Sequence, residues 1–350
     1  MARRRAASRT INLALQGGGA HGAFTWGVLD RLLEDPRIEF DGICGTSAGA
    51  MNAVVLAHGL MNGGRDGARA ALEDFWRRVS RLGAMLSPVR PMPGMGRVTG
   101  FDPQAGVALS HWFFESFTRA FSPYQFNPLN INPLRDLLDA VVDFEALHRC
   151  TQVKLFLCAT NVRSGKVKIF DNAQMSLDAV MASACLPFLF QAVEIDGEHY
   201  WDGGYTGNPA LWPLFYRSQV RDLVIVLVNA IRRENVPQTP VDIADRVNEI
   251  SFNSSLLREL RAVEFVTRMV TGGWLRDEHA AKLRHVLMHT IRADTVMAQL
   301  GVSSKLNPDW NFLSHLRDRG RAVADDWLTQ HYVDLGKRST VDLRREFVDG

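Results

Sequence analysis

The chain has 350 residues, 46% hydrophobic and 22% charged, with a net charge of +2. That is enough apolar material for one large domain or two, and the near balance of charge gives no ground for a nucleic-acid partner. No apolar run reaches the roughly 18 residues of a membrane-spanning helix.

The basic cluster Arg3-Arg4-Arg5, with Arg9 close by, marks residues 1–10 as a disordered, solvated arm or as a contact for an anionic surface. The apolar run behind it, Ile11 to Leu15, is too short for a secretory signal. The four cysteines, Cys44, Cys150, Cys158 and Cys185, form no CxxC pair and read as free thiols of a reducing compartment. A cytoplasmic protein is expected, with peripheral membrane attachment as the alternative.

INLAL predicts a first strand. It runs into Gly17-x-Gly19-x-x-Gly22 and then into FTWGVLDRLLE, whose apolar residues Phe24, Val28, Leu29, Leu32 and Leu33 have helical spacing. DGICG predicts a second strand, and AGAMNAVVLAHGL a second helix ending near Gly59 or at Gly63-Gly64. Strands alternating with helices imply parallel pairing in an α/β layer architecture.

Between these elements lies Gly45-Thr46-Ser47-Ala48-Gly49. A serine on a tight strand-to-helix turn projects its hydroxyl from the sheet edge, and Gly45 and Gly49 let neighbouring backbone pass closely. The alternative is a Ser47 that merely caps the helix. The glycine loop has three readings: a dinucleotide site, a structural turn, or backbone N–H groups offered to an oxyanion. A dinucleotide site needs an acidic residue about 20 positions on, at the far end of the second strand. Glu39 and Asp41 precede that strand instead, which favours the oxyanion.

Residues 82–130 begin rich in Pro and Gly and continue into HWFFESFTRAF. Trp112, Phe113, Phe114, Phe117 and Phe121 are either core or an apolar cover over a site. Asn132-Pro133 opens the helix LRDLLDAVV as N-cap and N1. VKLFLCATNV, KVKIF and DLVIVLVNA predict further strands. From about residue 240, VDIADRVNEI, SLLRELRAVEFVTRMV and WNFLSHLRDRGRAVADDWL predict amphipathic helices that pack on the sheet or lie on a membrane. His279, His285 and His289 read as a solvated helix face, since no acidic third ligand stands at metal-binding spacing. Asp202-Gly203-Gly204, taken alone, is an ordinary turn.

Taken together, GGGAHG (17–22), GTSAG (45–49) and DGG (202–204), with SACLPFLF before the aspartate and Asn208-Pro209 after it, resemble the patatin-like phospholipase family. The resemblance implies a three-layer α/β/α sandwich over residues 11–230, with a helical region over 231–350. It implies a serine acyl hydrolase of lipid esters that uses no cofactor and no metal. Ser47 would be the nucleophile and Asp202 the general base of a Ser–Asp dyad working through an acyl-enzyme. The loop Gly17, Gly18, Gly19 and Gly22 would form the oxyanion hole, with Gly18 and Gly19 as donors, and Gly203 and Gly204 would shape the aspartate turn. Phospholipid is the expected substrate; neutral lipid, thioester or storage polyester, or a non-catalytic lipid-binding role, are the alternatives. Gln16 and His21 stand where the plant-type pattern often has aspartate and arginine. A histidine would carry arginine's positive charge only part of the time. His58, His111 and His199 are expected at helix ends, cover or turns, with a triad-like role for His199 as the lesser reading. Oligomeric state is not legible in the chain.

Overall fold

The computed structural model describes residues 8–86, 121–274, 285–292, 294–297 and 300–349. The arm at Arg3-Arg4-Arg5, most of the aromatic segment and His279 lie outside them.

Eight strands make one sheet: β1 (Arg9–Leu15), β2 (Ile38–Gly45), β3 (Lys154–Asn161), β4 (Val167–Asp171), β5 (Val193–Ile195), β6 (Glu198–Asp202), β7 (Asp222–Leu227) and β8 (Leu287–Arg292). Their order is β5-β6-β3-β2-β1-β7-β8, with β4 also paired to β3. The five strands from β3 to β8 in that order run parallel, while β4, β5 and β6 form an antiparallel arm on β3.

Alternation along the strands sends side chains to two cores. Ile11, Leu13, Leu15, Val224, Val226, Leu155 and Leu157 face one side. Ala14, Cys44, Phe156, Cys158, Leu223, Ile225 and Leu227 face the other. Helices cover both faces, giving the three-layer sandwich that the resemblance implied. On the first face lie α1 (Gly22–Glu34), α2 (Ala48–Leu86) and α3 (Leu177–Ser183). On the second lies α4 (Pro240–Thr271), through Leu256, Leu260 and Val263. A last long helix, α5 (Trp310–His331), backs onto α1. A Cβ on Gly27 or on Gly320 would collide with the facing backbone, so the two helices meet at glycine contacts.

One expectation is met here and one is corrected. The second helix breaks at Gly63-Gly64 as expected, since both residues leave helical geometry, with Gly64 at φ 61°. A further helical stretch then runs to Leu86, because Ala68, Leu72, Phe75 and Trp76 bury another apolar face. His285 and His289 are not on a helix face. His285 precedes β8, and His289 lies inside it, fully buried. The region beyond residue 231 therefore adds an edge strand to the sheet as well as helices. Among the described residues, no helix is long and apolar enough to cross a membrane.

Candidate active site

Strand register brings the separated motifs into one row. Leu15 of β1 pairs with Gly45 of β2, and Gly45 pairs with Leu157 of β3. Two residues further along lie Gly17, Ser47 and Ala159, and Ala159 pairs with Asp202 of β6. Chain reversal between β3 and β6 thus returns a carboxylate to the level of the serine turn.

Ser47 occupies the turn between β2 and α2 with φ 54°, a left-handed conformation costly for a residue with a Cβ. Its N–H donates to Ser183 Oγ at 3.0 Å. Thr46 Oγ1 donates to the Gly207 carbonyl at 2.6 Å, tying the serine turn to the aspartate turn. Gly49 is required by contact, since a Cβ there would strike the Leu15 carbonyl. Ser47 itself is half-buried, whereas Asp202 is fully buried.

Asp202 Oδ1 accepts from Gly204 N at 2.7 Å, while Oδ2 makes no hydrogen bond of ordinary geometry. Burial raises the carboxyl to about 6. The Gly204 N–H, the Ser47 hydroxyl and the Lys305 charge each oppose that rise. The Ser47 hydroxyl is thus near enough to stabilise the carboxylate without a closed bond to Oδ2.

The glycine loop packs directly on the serine: a Cβ on Gly17 would lie 2.9 Å from Ser47 Cβ. Its four glycines are not equivalent. Gly17 N donates to Asn208 Oδ1 at 2.8 Å, and its carbonyl accepts from Asn229 Nδ2 at 2.8 Å. Gly22 N donates back to the Gly19 and Ala20 carbonyls. Only part of the loop therefore has amides to offer. Gly17 and Gly22 have committed donors, and the N–H groups of Gly18 and Gly19 are the ones without an acceptor among the described residues.

Gln16, fully buried, braces the same loop. Its Oε1 accepts from the N–H groups of Val228 and Asn229, both at 2.9 Å, and its Nε2 donates to Asn253 Oδ1 at 2.8 Å. His21 is also buried, with Nε2 2.7 Å from Ser304 Oγ. Burial, then the nearby Lys305 charge, lowers its imidazole to about 3. His21 is neutral and cannot lend an arginine-like charge even part of the time.

The remaining candidates fall elsewhere. Asp41 accepts from Lys154 Nζ at 2.9 Å and from Ser218 Oγ at 2.6 Å, away from the glycine loop. His199 Nε2 lies 3.8 Å from Glu194 Oε2 on the β5–β6 hairpin. His58 bonds Asn62 one turn along α2; His111 lies outside the described residues. Among those described, no group of three His, Cys, Asp or Glu side chains could hold a metal ion. Beside the aspartate turn opens a cavity of about 770 Å³ lined by Phe121, Pro123, Pro187, Phe188, Trp201 and Tyr205, among others. Sequence reasoning missed Ser183, Asn229, Asn253 and Lys305. Ser183 stood inside the quoted SACLPFLF stretch. The other three carry no local signal and become visible only when the chain is folded.

A family model described as "Patatin-like phospholipase" matches residues 13–215, more than half of the chain. No curated protein matches it significantly. Among solved structures, VipD from Legionella pneumophila aligns at 14% identity and TM-score 0.41, over 99% of this chain and 78% of its own. The type III effector ExoU aligns at 13% identity and TM-score 0.33, over 93% of this chain and 54% of its own. The ExoU–SpcU complex from Pseudomonas aeruginosa aligns at 16% identity and TM-score 0.30, over 94% of this chain and 61% of its own.

Proposed function

The chain belongs to the patatin-like phospholipase family, and from that premise we propose that it cleaves lipid ester bonds with Ser47 as nucleophile and Asp202 as general base. The observation that carries this reading is the row of Gly17, Ser47 and Asp202 across β1, β2, β3 and β6, with a buried carboxylate oxygen left unpaired at its end.

Asp202 Oδ2 accepts the Ser47 hydroxyl proton as Oγ attacks the ester carbonyl. Negative charge moves to the carbonyl oxygen, where the Gly18 and Gly19 N–H groups receive it. The tetrahedral centre collapses, the C–O bond to the alcohol breaks, and Asp202 returns the proton to the leaving oxygen. Water then attacks the acyl-serine with the same carboxylate as base. A carboxyl raised to about 6 is a better base toward a hydroxyl than one near 4, yet still ionised at neutral pH. Rigid amides in a water-poor site cost no reorganisation as charge develops. Losing one such donor typically costs about 10²–10³ in rate.

Phospholipid is the substrate class we favour, and the apolar cavity beside the aspartate turn is of a size suited to an acyl chain. The test is covalent labelling by a fluorophosphonate, with hydrolysis of phosphatidylcholine vesicles and of a p-nitrophenyl ester. Labelling and hydrolysis that vanish in Ser47→Ala support the reading. A wild-type protein that binds vesicles but neither labels nor hydrolyses would make it a lipid-binding module.

A further inference from the structure

Lys305 enters the site from beyond the stretch that the family model covers. It lies in the 3-10 turn Val302–Leu306, whose backbone is pressed onto the glycine loop. A Cβ on Gly19 would collide with the Lys305 carbonyl, and the neighbouring Ser304 hydroxyl meets His21. The Lys305 side chain reaches α4, where Nζ lies 3.4 Å from Asn248 Oδ1 and 5.6 Å from the centre of the Phe252 ring. Phe252 in turn packs on Gly204, and its carbonyl accepts from Asn208 Nδ2 at 3.1 Å. The ammonium is therefore held between the loop bearing the free Gly18 and Gly19 amides and the turn bearing Asp202.

Its charge is poorly matched in that place. Among the described residues no carboxylate lies within ion-pairing distance of Nζ; its one hydrogen bond goes to a neutral amide. Glu249 on α4 is already bound by Arg233 and Arg246. Glu249 most strongly, then Asp245 and Asp202, favour the Lys305 charge through space, and Arg233 opposes them. A desolvated cation without a direct ion-pair partner is costly, and an anion that completes the site when it is occupied would offset that cost.

We propose that Lys305 is the anion-binding residue of this site, its ammonium taking a negatively charged oxygen of the bound lipid: the oxyanion formed at the ester or the phosphodiester of the head group. This rests on the acyl-hydrolase reading above. Burial lowers the Lys305 ammonium to about 8, so its charge is present at neutral pH and lost as pH rises through that value. Asp202, His21, Glu249, Asp245 and Arg233 are the titratable groups facing it.

The test compares wild type, Lys305→Met and Lys305→Arg for kcat/KM from neutral to alkaline pH. The substrates are a p-nitrophenyl ester, which has no phosphate, and phosphatidylcholine vesicles; thermal unfolding is followed in parallel. Lys305→Met is expected to lose about 10²-fold at neutral pH and to lose the alkaline fall in rate. Lys305→Arg is expected to restore most of the activity and to extend it to higher pH. Loss with both substrates assigns the oxyanion; loss confined to vesicles, mainly in KM, assigns the phosphodiester. A Met variant that matches wild type on both substrates overturns the proposal. So does an Arg variant as impaired as Met with a lowered melting temperature, which would mark a packing role. A wild type without Ser47-dependent fluorophosphonate labelling removes the hydrolase reading and this proposal with it. A labelled, active protein indifferent to Lys305 removes only the proposal.

Discussion

Two buried aspartates lie on different strands of the sheet, and only one is left open. Asp222, the first residue of β7, accepts at Oδ1 from Gly336 N at 2.8 Å, and the same oxygen lies 3.0 Å from His289 Nε2. His289 Nδ1 continues the chain to Thr340 Oγ1 at 3.0 Å. By residue type this Asp–His–Thr series looks like a hydrolase triad. However, it sits at the beginning of a parallel strand, away from the carboxyl ends where such sheets place their ligand sites, and it anchors the chain beyond α5 to β7 and β8. Asp202 has no histidine, yet it keeps a free oxygen beside a strained serine and two unspent amides. On the proposed reading, reactivity follows the unpaired group and its setting, while the better-connected series holds the fold.

The sharpest way to break that contrast is Ser47→Ala, which should lower ester hydrolysis by about 10³-fold or more with unchanged circular dichroism. Asp202→Asn should cost a similar factor while leaving the turn able to accept from Gly204. It should also stabilise the protein above pH 6. The folded carboxyl stands at about 6 against an ordinary 3.8, so stability present below the lower value is lost as pH rises through the higher one. Removing the charge should regain on the order of 3 kcal/mol, visible as a higher Tm near pH 8 but not near pH 3.5. Asn208→Ala releases the Gly17 N–H and loosens the glycine loop; a fall of about 10²-fold in kcat is expected, as for a small misplacement of reacting groups. His21→Ala should cost less than about tenfold, since a neutral imidazole supplies neither charge nor proton transfer. A loss as deep as that of Ser47→Ala would move His21 into the reacting set. His289→Asn should leave kcat/KM unchanged and lower stability by about 1–3 kcal/mol through the stranded Asp222. A large loss of activity there would erase the distinction between the two aspartates.

Much of the site was legible because its parts are set by local backbone demands. A glycine loop after one strand and a GTSAG turn after the next leave a mark in sequence, since nothing but small residues fits where Gly17 meets Ser47 and Gly49 meets Leu15. The strands INLAL, VKLFLCATNV and DLVIVLVNA were equally plain from their apolar runs. The base was not. Asp202 reads as a turn until the β3–β6 pairing places it at the level of Ser47, and only the family resemblance singled it out beforehand. Partners at long range left no trace: Gln16 with Asn253, Gly17 with Asn229 and Gly19 with Lys305 are separated by more than 200 residues. His289 misled because a histidine in a short strand looks like a helix surface residue until its aspartate partner is found.

The central claim is that the unpaired oxygen of Asp202 activates Ser47. It is tested most directly by the rate of fluorophosphonate labelling of Ser47 from acid to neutral pH, in wild type and Asp202→Asn. The account predicts a rate that climbs with an apparent pKa near 6 in the wild type and is about 10³-fold slower in Asp202→Asn. Labelling of the variant at the wild-type rate, or a wild-type rate independent of pH across that range, would contradict it.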